Sequence, residues 1–193
     1  MEKLDINFEL PIVALEEKTV SSAPIFDGKV LHVRLDEISL PDGQSATREY
    51  CHHNGAVCVI PLTDEGEVIC VRQYRYAIGQ MLLEIPAGKL DYKGEDPLSA
   101  AIRELREETG AVADRMTYMG EFFSSPAILD ERIHMYLAEG LTFGDTDFDE
   151  DEFIETVRIP MSELVDMIMD GKIIDGKTQA AVMRAAIAIE KRN

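Results

Sequence analysis

Residues 88–111 read GKLDYKGEDPLSAAIRELREETGA, and no other stretch of the chain constrains fold and chemistry so tightly. Asp96-Pro97 opens a helix, with proline near the first helical position, where its missing N–H costs nothing. Along that helix Leu98, Ala101, Ile102 and Leu105 recur at i, i+3, i+4 and i+7, which predicts one buried stripe. Glu104, Glu107 and Glu108 also fall three and four residues apart, and so cluster on a different face. At about 6 Å and an effective dielectric near 20, each pair of such charges repels by roughly 2–3 kcal/mol before salt screening. Crowded carboxylate oxygens are what a hard divalent cation prefers, Mg2+ above all. The pattern is therefore read as a metal site and not as a solvated acidic face.

The rest of the chain is bounded by its composition. One hundred and ninety-three residues with an apolar fraction of 46% suit one domain with a real core and room for an extra sheet. A net charge of −18 argues against nucleic acid and against anionic membranes as partners, because both demand Lys/Arg surfaces. The same charge would repel a phosphorylated substrate unless bound Mg2+ inverted the local field. Cys51, Cys58 and Cys70 lack metal-type spacing, and the last two sit in apolar runs, so reduced buried thiols are expected. No signal-peptide pattern and no long apolar run is found, which sets the cytoplasm as the expected compartment.

The first 50 residues look extended. Residues 30–40 alternate polar and apolar side chains, Pro41-Asp42-Gly43 turns, and 45–53 forms a second strand; the segment before them gives no clear reading. Residues 56–62 and 67–75 are expected to form a hairpin across Thr63–Gly66, and 81–86 a further strand. Strands near 115–123, 132–139 and 153–159 follow, with an acidic loop at 144–152 and closing helices at 161–170 and 177–191. The order implies an α+β fold, a mixed sheet with helices on its faces.

Three patterns are set aside. Gly171 to Thr178 satisfies the phosphate-loop spacing GxxxxGK[ST], but a helix-like segment precedes it where a strand is required. Gly171 is better read as a helix C-terminal glycine, and Asp175 or Gly176 as the start of the next helix. The run from Asp145 imitates a calcium loop but has Glu150 and Thr156 where Gly and Glu are needed. Still, seven carboxylates from Asp145 to Glu155 without one Lys or Arg are excessive for a plain solvated loop. His52, His53 and His134 have no second histidine at ligand spacing and are taken as structural.

The helix and the turn before it resemble the Nudix box: Gly, Glu, then Arg-Glu-U-x-Glu-Glu-x-Gly-U, with U apolar. Gly88, Glu95, Arg103, Glu104, Leu105, Glu107, Glu108, Gly110 and Ala111 fill these positions, with six residues in place of five between Gly88 and Glu95. The surroundings are similar to the ADP-ribose pyrophosphatase branch of that superfamily: Val71–Arg75, Leu83–Gly88, Ser124-Ser125-Pro126, and the acidic loop leading into Glu152–Glu155. Ala127 departs from the glycine that relatives more often carry after the proline.

The resemblance implies a Nudix-type mixed sheet sandwiched between helices. An N-terminal antiparallel sheet region (1–50) would contribute to substrate binding and dimerisation, ahead of a hydrolase domain at 51–193. It implies Mg2+, replaceable by Mn2+, held by Glu104, Glu107, Glu108 and the Ala87 carbonyl. Glu152, with Glu150 as fallback, would activate water together with the catalytic metal ligand Glu108. Arg75 and Arg48 would contact substrate, and Glu95 would pair with Arg103 to fix the loop against the helix. The implied reaction is hydrolysis of a nucleoside diphosphate sugar, foremost ADP-ribose to AMP and ribose 5-phosphate, by a homodimer. The alternatives are another nucleotide sugar such as GDP-mannose, a dinucleotide, or a non-catalytic ADP-ribose sensor.

Overall fold

In the computed structural model, residues 15–148 and 153–192 are described, and they form two compact units. The smaller unit holds an antiparallel meander of β1 (Lys18–Asp27), β2 (His32–Ser39) and β3 (Ser45–His52). β1 is the segment that the sequence left unread. The β2–β3 turn closes on Gly43, at φ 84°, where an L side chain would be strained. Residues 127–130 belong to this unit. The Cys51 amide donates to the Ile128 carbonyl (2.8 Å), and His52 Nδ1 meets Asp130 Oδ2 at 2.6 Å.

The larger unit contains two sheets. One has the order β7 (Ala87–Lys89), β4 (Ala56–Pro61), β9 (Arg132–Phe143), β8 (Ala111–Phe123), with β4 parallel to β9 and the other pairs antiparallel. The other has the order β10 (Glu155–Pro160), β5 (Glu67–Arg75), β6 (Gln80–Glu84), all antiparallel. Three helices complete it: α1 (Pro97–Thr109), α2 (Met161–Met169) and α3 (Gly176–Glu190). None of the described helices is long and apolar enough to cross a membrane. The α+β mixed-sheet expectation therefore stands.

β4 explains how the layers are held. All six of its residues are buried, and the twofold strand period sends them to opposite faces. Cys58 and Ile60 enter a core with Val68, Cys70, Ile85, Leu137, Leu164 and Val182, whereas Val57 and Val59 enter a second core with Leu90, Ala101, Leu105 and Tyr136. Burial pushes the Cys58 and Cys70 thiols up to about 12, which makes them inert.

Two local expectations are corrected. The predicted 56–75 hairpin turns as expected, with the Thr63 amide donating to the Glu67 carbonyl, but only an isolated Leu62–Val68 bridge joins its arms. β4 takes β7 and β9 as partners and β5 takes β6 and β10, so the arms lie in different sheets. The buried stripe of α1 is also rotated. Ala100, Ala101, Leu105, Glu108 and Thr109 are buried, while Leu98 and Ile102 are exposed. The helix turns its glutamate face partly inward, toward β7, at the expense of two larger apolar side chains.

Candidate active site

α1 begins on Asp96, whose side chain caps the Ser99 amide at 2.9 Å, and ends on Gly110 in the left-handed region at φ 67°. These caps fix which turn of the helix meets the Pro86–Lys89 segment. Glu108, only 4% exposed, accepts the Ala87 amide at 3.2 Å. Glu104 stands one turn earlier against Gly88, and a Cβ on Gly88 would lie 2.0 Å from the Glu104 carboxyl carbon. Only glycine allows so close an approach of backbone and carboxylate.

Glu104 and Glu107 converge on a cation. Arg103 Nη1 donates to Glu104 Oε1 at 2.7 Å and to Glu107 Oε2 at 3.2 Å, while Nη2 lies 3.6 Å from both Glu95 and Asp91. Glu95 in turn accepts the Asp91 amide at 2.6 Å, tying the turn to the helix. Among the described residues, the Arg103 Nε is the buried side-chain nitrogen or oxygen lacking a hydrogen bond. Burial works against the charge of Arg103, but the surrounding carboxylates, Glu104 first, raise its pKa above the ordinary value.

The donor set suits a hard divalent cation. It consists of carboxylate oxygens, it sits over a backbone that a side chain would block, and two of its members already bracket one positive centre. Among the described residues, no three acidic or soft ligands close into a cage on their own. Mg2+ requires none, since it keeps several waters and takes one or two carboxylates.

These residues line a cleft of about 1060 Å3, large enough for a nucleotide sugar. Arg75 is on its wall, as predicted for a substrate contact, but its fork is engaged: Nε and Nη2 donate to Glu84 Oε1 and Oε2, each at 2.6 Å. Lys177 Nζ also donates to Glu84 and lies 3.1 Å from Asp175 Oδ1. Burial raises the Glu84 carboxyl, yet the Arg75 hydrogen bonds and the Lys177 charge outweigh it and hold the pKa below the usual carboxylate range. Arg75 is raised, chiefly by its hydrogen bond to Glu84.

Asp147 reaches the same cleft. Its amide donates to the Glu107 carbonyl at 3.0 Å, and the Gly144 amide donates to the Gly110 carbonyl at 2.8 Å. The acidic connection is thus fastened to the last turn of α1. Glu150 and Glu152, the candidate bases, lie outside the described residues. Arg48 lies in the smaller unit, where it pairs with Glu17, its Nε donating at 3.0 Å.

Glu84, Asp175, Lys177 and Asp147 were not among the site residues expected from sequence. Glu84 carried a signal, since an acid inside an apolar strand must find partners. Lys177 was hidden by the correct rejection of the phosphate-loop pattern. Gly171 is indeed the left-handed residue after α2, at φ 73°, and Asp175 caps α3 through the Thr178 amide at 2.9 Å.

Comparison with known proteins places the chain among named relatives. Residues 52–180 match the NUDIX domain family, and residues 17–50 match the nucleoside diphosphate sugar hydrolase N-terminal domain. A methanol dehydrogenase activator of Bacillus methanolicus is 43% identical over 169 residues, covering 86% of this chain and 91% of that protein. An ADP-ribose pyrophosphatase of Bacillus subtilis (strain 168) is 40% identical over 171 residues, covering 88% and 92%. A crystal structure of an ADP compounds hydrolase superposes with a TM-score of 0.81 at 20% identity, covering 92% of this chain and 96% of that one, which bears on the fold alone.

Proposed function

The chain belongs to the NUDIX domain family, and from that premise we propose that its cleft hydrolyses the diphosphate linkage of a nucleoside diphosphate sugar, ADP-ribose before others. One observation carries the reading. The carboxylate face of α1 and the guanidinium of Arg75 line the same cleft, so one site offers a metal platform and an anion contact. The 40% identity to an ADP-ribose pyrophosphatase supports the choice of substrate.

In this reading Glu104, Glu107, Glu108 and the Ala87 carbonyl hold Mg2+, with Mn2+ able to take its place. The ion supplies charge neutralisation of the diphosphate and acidification of water. The chain does the rest. Glu152 accepts the proton of the water that attacks one phosphorus, and Arg75 stabilises the negative charge spreading over the phosphoryl oxygens. Arg103 and Glu95 keep the glutamate face in register with the turn before it. Water adds across the P–O–P bond, so ADP-ribose gives AMP and ribose 5-phosphate.

The test is a panel of ADP-ribose, GDP-mannose and a dinucleotide, incubated with Mg2+ and scored for nucleoside monophosphate release. ADP-ribose is expected to give the highest kcat/KM, and Glu108→Gln to lower turnover by more than ~10-fold with unchanged circular dichroism. Preference for GDP-mannose would move the substrate assignment, and an active Glu108→Gln enzyme would remove the metal assignment. Glu152→Gln is expected to reduce kcat by about 10²–10⁴, the usual worth of a general base. The same loss in Glu150→Gln alone would shift the base by two residues.

The functional unit is inferred to be a homodimer. β1 is exposed along all ten residues and presents Val20, Ile25 and Phe26 to solvent, a face that a second copy would cover. A single species of one-chain mass in sedimentation at micromolar concentration would exclude the dimer.

A further inference from the structure

The buried network beside the metal platform carries more than the pairing predicted for Arg75. Glu84, 1% exposed at the end of β6, receives both forks of Arg75 from β5 and the ammonium of Lys177 from the first turn of α3. Asp175, the cap of α3, lies 3.1 Å from the same ammonium. Two paired strands and a helix 93 residues away therefore meet at one carboxylate, and the four charges cancel.

If Glu84 needed only to be neutralised, the two-pronged Arg75 contact would do so. The second cation, Lys177, is shared between Glu84 and Asp175 at the edge of the cleft. Neither cation is used up. A guanidinium has five N–H donors and an ammonium three. Among the described residues the Nη1 edge of Arg75 makes no hydrogen bond, and Lys177 is engaged only with Glu84 and Asp175. Both side chains line the cleft that Glu104 and Glu108 line, and Glu108 is close enough to contribute to the raised pKa of Arg75.

We propose that Lys177 and Arg75 together form an anion subsite that grips a phosphoryl group of the substrate, and that Glu84 is the positioning residue that holds both cations toward the cleft. The inference rests on the nucleotide-sugar reading above for its substrate, but not for the existence of the subsite. A dianionic phosphoryl group fits the two remaining donor edges, whereas a neutral sugar would leave two half-buried cations facing hydroxyls. Because the Lys177 contact forms in the ground state and persists in the transition state, its loss acts mainly on KM.

Lys177→Met is expected to raise KM for ADP-ribose by about 10–100-fold, the worth of one charge-assisted hydrogen bond, with kcat within about threefold of wild type. Lys177→Arg, which keeps the charge, should recover most of that loss. Glu84→Gln should raise KM as well by loosening both cations. The same variants are titrated calorimetrically with ADP in EDTA, which reads the subsite without metal or hydrolysis. Lys177→Met should weaken ADP by a similar factor. If Lys177→Met does not fold, Lys177→Gln is measured in its place.

Unchanged KM and unchanged metal-free ADP affinity in a folded Lys177→Met or Lys177→Gln protein would overturn the proposal and leave a purely structural ion network. Wild type inactive on every nucleotide sugar, but with ADP binding that still depends on Lys177, would overturn the activity and keep the subsite.

Discussion

Gly88 shows how much can hang on one missing carbon. Its backbone lies where the Glu104 carboxylate needs to be, and a methyl group there would come within 2.0 Å of the carboxyl carbon. Gly88→Ala is therefore expected to push Glu104 aside without unfolding the chain. Affinity for Mg2+ should fall by at least about tenfold, one broken ligand in a small set, while circular dichroism stays unchanged. A metal titration that superposes on wild type would show that Glu104 has room to spare. At this scale the glutamates of α1 were legible, because helical spacing alone places them together. Glu84 and Lys177 were not: they meet across 93 residues, and no local pattern reports which strand end faces which helix start. Lys177 also illustrates that a motif can be absent while one of its residues still faces the cleft.

The elements were legible where periodicity was local. The starts of α1 and α3, the ends of α1 and α2 and the β2–β3 turn follow from caps and turn residues close at hand. Pairing was less so. The unbroken apolar run Ala56–Pro61 means burial on both faces, which suits a strand central to a parallel pair better than one arm of a hairpin. The partner that makes it so, β9, lies more than seventy residues away. In α1 Ala101 and Leu105 of the expected stripe are buried but the larger Leu98 and Ile102 are not, because the helix turns Ala100, Glu108 and Thr109 inward instead. Leu105 is the large apolar anchor on that side, at 1% exposure. Leu105→Ala should cost about 2–5 kcal/mol in urea unfolding, since it leaves a cavity beneath the glutamate face. Ile102→Ala, from the exposed side, should cost far less, and equal losses would return the stripe to its sequence-based position.

Across the whole molecule, 37 acids against 19 bases leave a net charge of −18, and part of that excess is concentrated between Asp145 and Glu155, beside the glutamates of α1. A cation that binds the folded chain and not the unfolded one adds stability by mass action, about 2.7 kcal/mol at a hundred times its dissociation constant. For a chain of this length Mg2+ should raise Tm by roughly 5–10 °C. Sodium chloride at matched ionic strength controls for plain screening, and an equal rise with it would mean there is no specific site.

The acidic connection leaves the sheet with its first residues stitched to the closing turn of α1, through the Gly144–Gly110 and Asp147–Glu107 hydrogen bonds. Its point of departure is thereby set by α1 and not by the strands on either side. Whatever sugar the cleft takes, the first residues of this connection keep the same berth beside Glu107 and Gly110.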